Sequence, residues 1–296
     1  MTGRMKVLIA YDGSACADAA LADLRRAGLP TEAECKVVSV IENWLPPPSG
    51  LEIVEHVDHD QEFLTLALNA AQRICEFQPG WAVKAEVSAG SPATVIIEKA
   101  DEWNPDLIVM GAHGRGALGR LFFGSVSQRV LHEANCSVRV ARKPEKESNR
   151  PLRIIVGFDG SPNAVEVIRV LTSRRWPNGV EARVVYAAWP NPEFTPRPLV
   201  GKIADWIAEQ DLRIKRKIDA VVSDLNAAGI HATAIVKAEE PGRLLIEEAK
   251  TWEADCIFVG ARGLGRLERL RLGSVSSSLA ARAHCTVEVV RAPKQN

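Results

Sequence analysis

Asp106-Leu-Ile-Val-Met-Gly-Ala-His-Gly114, followed after nine residues by Gly124-Ser125-Val126-Ser127, occurs twice in this chain. The second copy reads Asp255-Cys-Ile-Phe-Val-Gly-Ala-Arg-Gly263, then Gly273-Ser274-Val275-Ser276. An apolar run of strand length that ends in glycine, with another glycine three positions on, predicts a strand leaving into a tight turn. Gly-Ser ahead of Val-Ser predicts a helix start, whose free backbone N–H groups and positive dipole end suit an anion. The spacing therefore points to phosphate, and the chain carries it in duplicate.

The duplication covers nearly the whole chain. Lys6-Val-Leu-Ile-Ala-Tyr-Asp-Gly-Ser14 matches Arg153-Ile-Ile-Val-Gly-Phe-Asp-Gly-Ser161 at an offset of 147, while Trp103 matches Trp252 and Cys136 matches Cys285 at 149. So small a drift means two copies of one domain-sized fold rather than a short-period solenoid. The reading is a first domain over 1–143, a charged, proline-bounded linker over 144–151 and a second domain over 152–296. A chain of 296 residues is long enough for both.

Lys and Arg number 37 and Asp and Glu 37, so net charge is zero and a general affinity for nucleic acid or an anionic membrane is not expected. No apolar run approaches the roughly 18 residues of a membrane span. The N-terminus enters a strand too early to leave room for a signal peptide, and the six cysteines include no Cys-x-x-Cys pair. They read as small core residues of a reducing cytoplasm, where the protein is expected.

Strands are expected at 6–11, 36–41, 83–88, 106–110 and 136–141, and again at 153–158, 183–188, 232–237, 255–259 and 285–291. Helices fall near 14–27, 58–78, 92–103 and 125–134, with a longer one over 200–228 in the second half. Continuous apolar runs such as Val-Leu-Ile-Ala indicate strands buried on both faces, and helical connections make them parallel. The fold class is α/β: two tandem doubly wound domains, each a five-stranded parallel sheet flanked by helices. Ligands of such sheets bind beyond the carboxyl ends of the strands, where strand order reverses. If the first and fourth strands are neighbours there, Asp12 and Asp159 each face a glycine turn. The last strands alternate, with Arg139 or Glu288 between valines, as edge strands do. Their simplest partner is each other, an intramolecular pseudo-dimer, with further homo-oligomer formation open.

The Asp-Gly-Ser strand end, the G-x2-G-x9-G-S pattern, the Gly-Ser-Val-Ser helix start and the Cys-x-Val-x-Val last strand, each present twice, resemble the universal stress protein family. The resemblance covers about residues 5–142 and 152–292 and implies a fold of the adenine nucleotide alpha hydrolase-like kind. In family members that bind ATP, the glycines hold phosphates and ribose, and the first-strand Asp and second-strand end frame ribose and adenine. Carried over, this gives Asp12, Val40, Gly111, Gly114, Gly124, Ser125 and Val126 in the first half. In the second it gives Asp159, Ala187, Gly260, Gly263, Gly273, Ser274 and Val275. The implied ligand is ATP, with or without Mg, and a protein partner of unknown identity. A branch of the family has lost these glycines; this chain keeps them.

Arg115 and Arg120 in the first turn, and Arg266, Arg269 and Arg271 in the second, are further cations a phosphate chain can recruit, or solvated loop charges. No Walker-type Gly-Lys-Ser/Thr is present, so the chain is not expected to be an enzyme beyond slow ATP hydrolysis. The alternative readings are a slow ATPase and a structural adaptor with vestigial pockets. Glycines that only form turns, and Asp12 and Asp159 that only cap helices, would fit the last.

His56 and His59 share a helical face without a third ligand, and no metal or catalytic residue is expected. His113, inside the first turn where the second has Arg262, reads as phosphate-side or solvent-exposed. Trp44 and Trp189 read as anchors of proline-rich loops, and Trp103 and Trp252 as packing on the sheet. Gly90 and Val40 against Glu239 and Ala187 lead to the expectation that the first pocket binds ATP more tightly than the second.

Overall fold

The same physical pattern opens the first helix of both halves. Ser14 and Ser161 hold extended backbone, and their hydroxyls accept from Ala17 N and Ala164 N, capping helices α1 (Ala15–Leu24) and α5 (Pro162–Ser173). Ala17, Ala20, Leu21 and Leu24 are buried on α1, and Ala164, Val167, Ile168 and Leu171 on α5, each set spaced to form one helical stripe. A computed structural model describes residues 4–42, 56–114, 123–143, 150–188, 200–263 and 272–292, excepting the side chains of 56–60 and 200–212.

The first unit runs β1 (Met5–Ala10), α1, β2 (Ala33–Ile41), α2 (His56–Phe77), β3 (Trp81–Ala89), α3 (Pro92–Trp103), β4 (Leu107–Gly111), α4 (Ser125–Glu133) and β5 (Ser137–Ala141). The second runs β6 (Arg153–Gly157), α5, β7 (Glu181–Ala187), α6 (Val200–Ala227), β8 (His231–Lys237), α7 (Pro241–Thr251), β9 (Cys256–Gly260), α8 (Ser274–Arg282) and β10 (Thr286–Val290). Within the units the order is β3-β2-β1-β4-β5 and β8-β7-β6-β9-β10, all parallel. This is the doubly wound α/β fold. The chain divides into two compact units, Met1–Glu145 with Pro293–Asn296, and Lys146–Ala292.

Strand order places the helices. Right-handed crossovers that run from β1 out to β3 and then back across to β4 put α1 and α2 on one face and α3 and α4 on the other. One core joins Val7, Ile9, Val37, Leu107 and Val109 to Leu21, Leu24 and Ile74 of α1 and α2. Leu8 and Ile108, which alternate with them and so point the other way, are also fully buried. Phe258 is fully buried in the second core, its ring edge-on to Trp176 at 6.0 Å.

Asp106 and Asp255, which open the duplicated stretch, set β4 against β1 and β9 against β6. Asp106 Oδ2 accepts from Lys6 N at 2.7 Å, and Asp255 Oδ2 from Arg153 N at 2.8 Å. The register follows, with Ile9 beside Val109 and Val156 beside Phe258.

Several local details differ from the sequence reading. β2 begins at Ala33, three residues early, because Ala33 and Cys35 are buried and alternate with more exposed neighbours. α1 stops at Leu24, where Arg25, Arg26 and Ala27 donate to carbonyls only three residues back and Gly28 takes φ +65°. Arg139 and Glu288, on the terminal strand of their own unit, are buried rather than solvated: Asp23 accepts from Arg139 Nε at 2.5 Å, and Glu288 from Arg174 Nη1 at 2.9 Å. Trp103 and Trp252 carry cations over their rings, Lys36 Nζ at 5.0 Å and the Arg183 guanidinium at 4.4 Å. Cys35, Cys256 and Cys285 are buried, but Cys75 is exposed, so the core reading does not hold for every cysteine. Burial pushes the Cys35 thiol pKa up.

Gly111 and Gly260 show how closely helix and strand approach. A Cβ at Gly111 would lie 2.6 Å from the Cys16 carbonyl carbon, and one at Gly260 would lie 2.9 Å from that of Asn163. Gly111→Ala and Gly260→Ala must therefore push α1 or α5 off the sheet, at a cost of about 1–3 kcal/mol. Urea unfolding followed by circular dichroism checks this; an unchanged midpoint would mean that the close approach does not require glycine.

Candidate functional site

With β1 beside β4, the carboxyl ends of both strands open on one cavity. In the first unit it has a volume of about 400 Å³ and is lined by all seven predicted residues, Asp12, Val40, Gly111, Gly114, Gly124, Ser125 and Val126. In the second it measures about 510 Å³ and is lined by Asp159, Ala187, Gly260, Gly263, Gly273, Ser274 and Val275. Both volumes lie in the range of small-molecule sites.

The three glycines of each pattern do different things. Gly111 and Gly260 admit the first helix, as above. Gly114 and Gly263 lie against the acid: a Cβ at Gly114 would sit 2.9 Å from Asp12 Oδ2, and one at Gly263 would overlap Asp159 Oδ2. Gly124 and Gly273 close the turn, donating their N–H to Ala112 O at 2.9 Å and Ala261 O at 2.7 Å. Their amides are thus already used, and the free ones begin one residue later.

Those free amides are the main feature of the site. α4 and α8 have no side chain capping their N-termini, in contrast to α1, α5 and α7, capped by Ser14, Ser161 and Glu240. The first residues of an α-helix have no intrahelical acceptor for their N–H groups. Here they are Ser125, Val126 and Ser127, and Ser274, Val275 and Ser276, and all six line the cavities. A helix start left uncapped against an open cavity can take an anion.

Asp12 and Asp159 hold their own loops as well as facing the glycines. Asp12 Oδ1 accepts from Ser14 N at 3.0 Å and Asp159 Oδ1 from Ser161 N at 2.9 Å. The helix caps are the serines, so each acid keeps its second oxygen directed at the glycine. Ser14 and Ser161 hydroxyls also donate to the carbonyls of His113 at 3.5 Å and Arg262 at 3.3 Å, tying the first loop to the fourth-strand turn.

Two groups of site residues escaped the sequence reading. Ser127 Oγ donates to Gly111 O at 2.9 Å and Ser276 Oγ to Gly260 O at 2.7 Å, anchoring each helix start to the strand it follows. The repeated Ser-Val-Ser carried that signal. Pro92 with Ile96, and Pro241 with Leu245, wall the cavities from α3 and α7, but an apolar helix residue facing a ligand looks in sequence like any core residue. Arg115, Arg120, Arg266, Arg269, Arg271, Trp44, Trp189 and the His56 and His59 side chains lie outside the described residues. Glu239 is not among the residues lining the second cavity; it pairs with Arg243 at 3.2 Å. The acidic-turn argument for a weaker second site therefore loses its basis.

His113 lines the first cavity with Nδ1 3.8 Å from Cys16 Sγ, and its buried Nε2 has no hydrogen-bond partner among the described residues. Burial, and after it the charge of Arg142, holds its pKa below the ordinary 6.5, so the ring is neutral at pH 7.

Two parallel α/β units, each with an uncapped helix start facing a carboxylate across a ligand-sized cavity, make this a tandem pocket protein of the doubly wound class. The chain belongs to the universal stress protein family, a stress-response family whose sequence model matches residues 3–142 and again 152–291. It is similar to a universal stress protein of Mycobacterium tuberculosis, 26% identical over 292 residues that cover 96% of each chain. It is also similar to one of Mycolicibacterium smegmatis, 27% identical over 309 residues, again 96% of each. The crystal structure of a universal stress protein from Archaeoglobus fulgidus shares the fold, with a TM-score of 0.63 at 24% identity over 97% of this chain and 96% of that one. Among the described residues no helix is long and apolar enough to cross a membrane.

The lowered pKa of His113 has a sign that can be tested. As pH falls, the unfolded chain takes up the proton before the folded one does. The stability linked to the neutral ring is present above pH 6.5 and is lost as pH drops below it. The melting midpoint of the first unit should fall more between about pH 7 and about pH 5.5 in the native chain than in His113→Gln. Parallel falls in calorimetric scans would remove His113 as the cause.

Proposed function

We propose that this chain is a nucleotide-binding stress protein that holds ATP in both of its pockets and acts through conformation or a protein partner. The observation that carries this reading is the duplicated, uncapped helix start, aimed at a cavity whose opposite side presents Asp12 or Asp159. Phosphates would lie on the N–H groups of Ser125–Ser127 and Ser274–Ser276, where the helix dipole and unpaired donors favour negative charge. Asp12 and Asp159, acceptors only when ionised, suit the hydroxyls of a ribose. Val40 and Ala187 at the second-strand ends, with Ile96 and Leu245 on the opposite wall, offer apolar surface to a flat base.

Fast turnover is not part of this reading, since neither glycine turn, 111–124 or 260–273, contains a lysine. No lysine lines either cavity among the described residues. Positioned cations and an oriented nucleophile supply most of the rate in phosphoryl transfer. Any hydrolysis is therefore slow. The cytoplasm is the compartment we assign, from six cysteines that form no disulfide and include no Cys-x-x-Cys pair.

Calorimetric titration with ATP tests the reading. The native chain should bind two equivalents, Gly114→Val and Gly263→Val one each, and the double variant none, because valine at either position displaces the facing acid and fills ligand space. A double variant with native affinity would place the nucleotide elsewhere. Phosphate release by the native chain should remain far below binding-site turnover on the seconds timescale typical of kinases.

A further inference from the structure

The two cavities share a backbone but not a charge. Ser14 and Ser161 fix the carbonyls of His113 and Arg262 in the same way, so these two side chains leave equivalent points of the two turns. His113 is neutral at pH 7 and half-buried against Cys16. Arg262 is exposed at the rim, its guanidinium permanently charged and without an ion pair among the described residues. The opposite rim adds to the contrast. Glu42, just past β2, lines the first cavity together with Asp12, whereas Asp159 is the one carboxylate among the described residues lining the second. Counted over described lining residues, the first cavity carries −2 (Asp12, Glu42) and the second −1 + 1 = 0 (Asp159, Arg262).

We propose that the two pockets select adenine nucleotides by phosphate charge. The second, with Arg262 and the larger volume of about 510 Å³, gains affinity with each added phosphate and prefers the triphosphate. The first, at about 400 Å³ and with two carboxylates and a neutral imidazole, gains little from added phosphates and takes the monophosphate nearly as well. The occupant of the first pocket would then follow the ratio of monophosphate to triphosphate, while the second stays with the triphosphate. For ATP this reverses the ranking that the sequence led us to expect. The inference rests on the reading of both cavities as adenine nucleotide sites.

Calorimetry with ATP and with AMP on Gly263→Val, which leaves the first pocket, and on Gly114→Val, which leaves the second, measures the selectivity of each. The ATP:AMP affinity ratio should be at least about tenfold higher in the second pocket, equivalent to 1.4 kcal/mol. Arg262→His in the intact chain should narrow the difference, and His113→Arg should raise the ratio of the first pocket. These exchanges, read by native mass spectrometry with equimolar ATP and AMP, keep the test independent of whether the valine variants fold. Equal ratios in the two pockets, or an Arg262→His chain with unchanged selectivity, would overturn the proposal while leaving ATP binding intact. Failure of every nucleotide to bind either pocket would overturn it together with the proposed function.

Discussion

The site depends on β1 lying directly beside β4, and β6 beside β9. That adjacency is fastened at both ends of the strand pair. At the amino end Asp106 and Asp255 reach across to the first residue of the neighbouring strand or the one after it. At the carboxyl end Ser14 and Ser161 reach across to the turn carbonyls. With both ends held, the acid that ends the first strand and the glycine turn that ends the fourth must meet, and the helix that follows must start at the same place. Separate those strands by one position and the carboxylate, the glycines and the free amides no longer share a cavity.

The helix starts then present donors that the fold itself does not pair. Backbone N–H groups are obligatory donors, and a helix normally satisfies its first ones with a side chain or solvent. α1, α5 and α7 use a capping side chain; α3, α4 and α8 use none, and of these α4 and α8 begin after glycine. Ser127 and Ser276 do not serve as local acceptors: their hydroxyls point back to Gly111 and Gly260 and lock the helix to its strand. The donors are thus preorganised as well as unpaired, which lowers the ordering cost that a ligand must meet.

The fold was largely legible because its signals are local. Buried parallel strands read as apolar runs, capping serines precede their helices, and the duplication let each half check the other. The pocket residues were legible for the same reason: Asp12, Gly114 and Ser125 belong to short motifs at strand and helix ends. What escaped notice is set by partners far along the chain. Whether Arg139 faces solvent depends on Asp23, 116 residues away, and the burial of Glu288 depends on Arg174, 114 residues away. Glu239 looked close to a pocket by position, yet Arg243 one turn later holds it. The separate duties of the three glycines, one admitting a helix, one facing an acid and one closing a turn, appear only when the atoms around each are known.

The central claim is that uncapped helix starts receive the ligand. Amide chemical shifts in an isotope-labelled chain titrated with ATP address it at single residues. The amides of Ser125, Val126 and Ser127, and of Ser274, Val275 and Ser276, should move furthest and saturate with the binding curve, while the capped starts of α1 and α5 move little. Saturable shifts concentrated away from these six residues would contradict it.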